Sequence, residues 1–177
     1  MKKKYKIEIN LKSPMLIKSG TNGNEFVNSS YVKKDDKPFI PGSTLKGLVR
    51  SNFNSIVDTE SCKKVNCNCA VCSIFGSSGF NPARIYFSDL DLVDEYNDSI
   101  RFHNSINRYL RKSKDNALFS EEVIEKGKFE GSCEVYFNEK TINYKKELLI
   151  AIKMIENIGL SKSRGYGFVD IDVKEDN

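Results

Sequence analysis

The chain has 177 residues, 39% of them apolar, and a formal net charge of +4. That length suits one domain with its own core and is short for two, and the apolar content excludes wholesale disorder. No apolar run approaches the roughly 18 residues that span a bilayer, and Met1-Lys2-Lys3-Lys4 leads into an alternating pattern rather than a secretory signal, so a cytoplasmic protein is expected.

Tyr5, Ile7, Ile9 and Leu11 alternate with Lys4, Lys6, Glu8 and Asn10, the pattern of a half-buried strand. Gly, Asn and Ser crowd the stretch Ser19–Ser30, which reads as a loop. Pro41-Gly42-Ser43 then turns into a helix over 43–58, with Ser43 as N-cap. Leu45, Leu48, Val49, Phe53 and Ile56 share one face of it, while Lys46 and Arg50 stand on another. Residues 59–82 hold four cysteines and a Gly/Ser loop, with little regular structure expected. Strand character returns over Ala83–Val93. From Ile100 to Ser120 the chain is basic and polar, with Phe102, Tyr109 and Phe119 interleaved. Residues 128–137 alternate again, turning Phe129, Gly131, Cys133, Val135 and Phe137 to one side, so Cys133 is expected in the core. A second helix over 143–158 faces Leu148, Ile152 and Ile155 inward, with Leu149 and Ile158 beside them, and Gly159 as its stop. After Leu160–Gly167, Val169, Ile171 and Val173 mark a last strand. The order is the β-α-β-β-α-β series of an α+β, ferredoxin-like domain, with insertions after the first helix and between the central strands. Such a fold hosts many functions, so function must be read from sites.

Charge is segregated. Lys2, Lys3, Lys4, Lys6, Lys12 and Lys18 crowd the start; Arg101, Arg108, Arg111, Lys112 and Lys114 form a second cluster, and Lys162 with Arg164 a third. The acids sit mostly in 89–98, 121–130 and the tail, a division that suits a basic groove as well as an ordinary solvated surface. Cys62, Cys67, Cys69 and Cys72 have the spacing C-x4-C-x-C-x2-C. In a reducing compartment a disulfide framework is not expected, whereas four thiolates in one short loop close a tetrahedron around a structural Zn²⁺. An iron–sulfur cluster and free thiols are the alternatives, and His103 is a substitute ligand should Cys67 and Cys69 lie too close to serve together. The Gly159–Gly167 loop carries Lys162, Ser163 and Arg164 among glycines, a phosphate-binding composition that a plain glycine-rich turn also has. At Ile40–Gly47, backbone amides, a hydroxyl and Lys46 meet at a positive helix end, an anion site or simply a capped helix.

Four segments in order carry a resemblance: I-P-G-S-T-L-K-G-L-V-R at 40–50, C-x2-C-S-I-F-G at 69–76, A-R-I-Y-F-S-D-L at 83–90 and G-L-S-K-S-R-G-Y-G at 159–167. Each is weak alone, and together they are specific. The chain resembles, from about residue 3 to 173, the RAMP superfamily of CRISPR-associated proteins, and within it the backbone subunits of type III and related complexes. The resemblance implies a modified RNA-recognition fold as palm, with the cysteine loop at 59–82 and a thumb hairpin at 100–120 inserted in a single domain. It implies that copies stack in a filament along guide crRNA, pair it with target RNA and shape the duplex, beside other effector subunits. Ser43, Lys46 and Arg50 would grip guide phosphates with Lys162, Ser163, Arg164 and Tyr166, and Arg101, Asn104, Arg108, Arg111 and Lys112 would serve from the thumb.

One departure bears on chemistry. Cleaving members carry an aspartate within an x-D-x-P-[VI]-x-[RK] stretch ahead of the P-G-S motif. Here Val27-Asn28-Ser29-Ser30-Tyr31-Val32-Lys33 puts Asn28 at that position. An amide neither binds a metal nor accepts a proton as a carboxylate does, so no cleavage by this subunit is expected. A type III-D-like branch, or the related type VII with its separate nuclease, fits such a subunit. The rival is an active endoribonuclease drawing on Glu25, Asp35 or Asp36. A guide-processing ribonuclease with His103 as base, and a zinc-stabilised module without RNA, fit less of the chain.

Overall fold

The computed structural model describes residues 1–18, 20, 27–57, 62, 67–79 and 81–176. In chain order the strands and helices are β1 (Lys2–Leu11), β2 (Lys33–Lys34), β3 (Lys37–Ile40), α1 (Gly42–Val57), α2 (Ala70–Phe75), β4 (Ile85–Phe87), β5 (Leu90–Leu92), β6 (Asn97–Asn107), β7 (Lys112–Lys126), β8 (Lys128–Tyr136), α3 (Lys145–Lys153) and β9 (Val169–Asp176). The protein is thus mixed α/β, mostly antiparallel sheet with few helices. The main sheet runs β2-β3-β5-β8-β1-β9, with β4 also on β8, and β6 with β7 forms a separate two-stranded hairpin. Among the described residues no helix is long and apolar enough to cross a membrane.

The alternation read over residues 4–11 and 128–137 holds. Tyr5, Ile7 and Ile9 on β1, and Phe129, Cys133 and Val135 on β8, are buried against Leu45, Val49 and Phe53 of α1 and Leu148 and Ile152 of α3. The two helices pack side by side, Asn52 Nδ2 donating to the Ala151 carbonyl at 3.0 Å. The other face of the sheet is a lattice of ion pairs. Lys6 reaches Glu8 (3.2 Å) and Glu130 (2.6 Å), Lys128 reaches the same two acids (3.2 and 2.9 Å), and Lys2 meets Glu134 (3.0 Å). Lys4 and Lys12 meet Asp176 and Asp170 of β9. The lysine-rich start of the chain is therefore neutralised across the strands and supplies no free basic surface, except for Lys18.

Several boundaries differ from those read in the sequence. The strand expected over Ala83–Val93 breaks at Ser88-Asp89, and both halves lie on β8. The break frees Asp89, whose Oδ1 accepts from the Gly42 N–H at 2.9 Å. Asp89, not Ser43, therefore meets the start of α1, which begins one residue earlier than expected. Gly42 is required there, since a Cβ would stand 2.5 Å from the Phe87 carbonyl oxygen. In the cysteine segment the short helix α2 replaces the expected irregular chain, with Cys69 as its N-cap. The second helix stops at Lys153, well before Gly159; Ile155 and Ile158 are buried as expected but from the turn that follows. The hairpin expected over 100–120 is longer, spanning Asn97–Lys126.

Candidate nucleic-acid interface and metal centre

The candidate metal centre is built by one loop and α2. The Sγ atoms of Cys62, Cys67, Cys69 and Cys72 all lie within 4.8 Å of one another, and those of Cys62 and Cys72 are 3.6 Å apart. A tetrahedral Zn²⁺ with bonds of about 2.3 Å separates its sulfurs by about 3.8 Å, so the spacing fits such an ion. The Cys72 N–H donates to Cys69 Sγ at 3.5 Å, and Asn81 Nδ2 donates to the carbonyls of Cys67 and Cys72, both at 3.0 Å. Asn81 thereby ties the two halves of the knuckle together, a role no local sequence pattern signals. Without a metal, burial and then bonding to Cys62 and Cys69 push the Cys72 thiol up to about 12. His103 is no part of this cluster, and all four thiols meet without it.

The glycine-rich loop is held by main-chain bonds. Leu160 N–H donates to the Leu16 carbonyl (2.8 Å), and Gly167 N–H to that of Pro14 (2.7 Å). Gly159 and Gly167 have positive φ and press against main chain. Between these anchors Ser161 takes a left-handed conformation and Lys162–Arg164 form one 3-10 turn, so Lys162, Ser163 and Arg164 point outward, all exposed. Lys162 stands with Lys18, Ser43 and Gly47 around a groove of about 470 Å³ between the loop and α1. Arg164 faces the other way, into a pocket of about 500 Å³ with Phe102, His103, Asn104, Leu118 and Phe119 at the hairpin base. The loop thus divides two adjoining hollows. Lys18 is the groove residue that site reasoning missed; only its place in a basic N-terminal run pointed to it. Arg50 lies apart from this groove, in a pocket with Cys62 and Ser77–Gly79 beside the metal loop. Among the described residues none of Lys18, Lys46, Arg50, Lys162 and Arg164 meets a carboxylate.

The hairpin is clamped at its base. Arg101 is ion-paired with Glu125 (2.9 Å) and stacks over the Tyr166 ring at 5.4 Å. Tyr166 is only 4% exposed. Its Oη lies 3.3 Å from His103 Nε2, which is 3.2 Å from Glu121 Oε2. On the other side Asn28 is latched to β7: the Ser120 N–H donates to Asn28 Oδ1 (2.8 Å), and the Asn28 N–H to the Ser120 carbonyl (3.1 Å). From this base to the tip, large apolar side chains of the hairpin are exposed. Phe102, Ile106, Leu110 and Leu118 are exposed and Tyr109 is 97% exposed at the tip, between Arg108 and Arg111, with Lys112 opening the return strand. Asp35 and Asp36 form the two-residue turn between β2 and β3, both with positive φ, and Glu25 lies outside the described residues.

A comparison with curated proteins finds no match. Against family models, residues 8–170 match the RAMP superfamily. With nearly the whole chain covered, and the four motifs resting on α1, the metal loop, the β4–β5 break and the glycine-rich loop, the protein belongs to the RAMP superfamily.

Proposed function

We propose that this chain binds guide crRNA as a repeating backbone subunit of a CRISPR interference ribonucleoprotein, holding the RNA without cutting it. On this reading the sheet order β9-β1-β8-β5 with α1 and α3 on one face is a ferredoxin-like palm, and β6–β7 is the thumb that shapes the guide–target duplex. The observation that carries it is the division of charge. Cations on the sheet face are spent on neighbouring acids, whereas Lys18, Lys46, Arg50, Lys162 and Arg164 around α1 and the glycine-rich loop, and Arg108, Arg111 and Lys112 near the hairpin tip, meet no carboxylate among the described residues. A polyanion gains most where cations have no internal partner. Lys162→Ala and Arg164→Ala are expected to weaken RNA binding without regard to sequence and to lower the salt slope by about one unit each. Lys6→Ala, on the paired face, is expected to change neither. Equal binding by all three variants and the parent in a salt titration would overturn the assignment.

Silence rests on Asn28. Metal-assisted cleavage needs a carboxylate to hold the ion beside the reacting phosphate, and Asn28 offers an amide whose oxygen already accepts from Ser120. Guide-loaded protein is expected to leave complementary RNA intact in magnesium or manganese. Asn28→Asp keeps the Oδ1 acceptor and adds a second carboxylate oxygen, so it is the variant that could regain spaced cuts. Cuts by the parent, abolished by Asp35→Ala or Asp36→Ala, would favour the endoribonuclease instead. The four thiols we assign to structural zinc, which stiffens a loop too small to have its own core.

A further inference from the structure

Most glycines near these hollows are explained by what surrounds them. A Cβ on Gly42 would meet the Phe87 carbonyl oxygen at 2.5 Å, and one on Gly131 the Leu90 side chain at 2.7 Å. Gly76, Gly159 and Gly167 combine positive φ with close main-chain neighbours. Gly47 is different. It lies inside α1, and among the described residues a Cβ built on it meets nothing within 4 Å. Neither conformation nor packing calls for glycine there, and glycine inside a helix is less stable than almost any other residue. Among the described residues no contact accounts for it.

The space a side chain at 47 would take is the groove between α1 and the glycine-rich loop. Ser43 lies one turn earlier on the same side of the helix. Leu48 and Leu160 supply apolar wall, and Lys18 and Lys162 stand at the same groove. Lys46 rises from the adjoining row of α1, so cations stand on both sides of position 47, while Arg50 lies apart beside the cysteine loop. Phosphates reach lysines readily, since those side chains are long. The sugar between two phosphates must instead come down on the helix itself, and glycine is the residue that permits such an approach to backbone. We infer that Gly47 is the point where the ribose–phosphate backbone of bound single-stranded RNA lies directly against α1, the sugar filling the volume a side chain would occupy. The helix N-terminus contributes little to this site, because Asp89 already meets it; the flanking lysines supply the attraction.

This inference rests on the RNA-binding reading above, and one experiment separates the two. Binding of fluorescein-labelled oligouridylate is measured by anisotropy over a range of salt, alongside thermal unfolding, for the parent, Gly47→Ala, Gly47→Leu and Lys162→Ala. Both Gly47 variants are expected to unfold at a higher temperature than the parent. Gly47→Leu should lose affinity by about tenfold or more, Gly47→Ala by less, with the salt slope unchanged because no charge is removed. Should the Leu variant fail to fold, the Ala variant decides. Parent-like affinity in the Gly47 variants with weakened Lys162→Ala overturns the contact and leaves the RNA grip standing. A lower unfolding temperature for Gly47→Ala returns the glycine to the fold and also overturns it. A parent that fails to bind oligouridylate removes the contact and the RNA-binding reading together.

Discussion

Asn28 shows what a single position can mean at two levels. The sequence reading sets it where cleaving relatives would carry a carboxylate; in the fold it is half of a latch that exchanges bonds with Ser120 across 92 residues of chain. That latch was not legible, because nothing near position 28 announces a partner on a hairpin strand so far away. The clustering of Cys62, Cys67, Cys69 and Cys72 was legible in the sequence, since side chains in one short loop are brought together by local spacing. Cys72→Ser is therefore expected to remove zinc from purified protein, and Cys133→Ser to leave about one ion per chain. Cys133 is buried in the core beneath the sheet, so elemental analysis finding equal zinc in both variants would exclude this centre.

Elements were read well where one face is apolar and its period is clean. β1, α1 and β8 needed only alternation or helical spacing. The end of α3 was missed because Ile155 and Ile158 keep an inward rhythm after the helix has stopped at Lys153; burial continues while hydrogen bonding changes, and periodicity reports only burial. The start of α1 was missed for a different reason. Its cap comes from Asp89, made available by a strand break that Ser88 completes by accepting the Ser132 N–H at 2.8 Å. Gly42→Ala is expected to destabilise the protein by about 1–3 kcal/mol, the usual cost of forcing an atom into packed main chain. Thermal unfolding checks this, and an unchanged midpoint would mean that α1 begins by other means. The same substitution in the same helix at Gly47 carries the opposite sign.

Across the whole molecule, the sheet-face lattice makes stability depend on acid. Bonding to lysines holds the carboxyls of Glu8, Glu130 and Glu134 below their ordinary 4.5, and the bonded lysines Lys6 and Lys128 above 10.5. A lowered carboxyl stabilises the fold above its unfolded value and loses that contribution as pH falls through its folded one. The lysine side mirrors this, its contribution fading only as pH rises past 10.5. The unfolding midpoint should therefore fall below about pH 4.5 and be steady, as far as this lattice goes, through neutral pH, with added salt shrinking the drop. A midpoint that holds to about pH 3 would show the lattice to be ornamental. The hairpin raises a question of angular tolerance. From Phe102, which pairs with the latched Ser120, its first strand runs five residues further to Asn107, which at about 3.3 Å each makes a lever of roughly 17 Å, so a tilt of about 5° at the root swings the end of the strand by about 1.5 Å. Whatever Tyr109 and its flanking arginines touch, the accuracy of that touch is decided far away, by the stacked Arg101, Tyr166 and His103 on one side of the root and Asn28 on the other. A hinge with two opposed stops can keep one pitch in every copy of a repeating array; with either stop removed, successive copies would no longer agree on where a step ends.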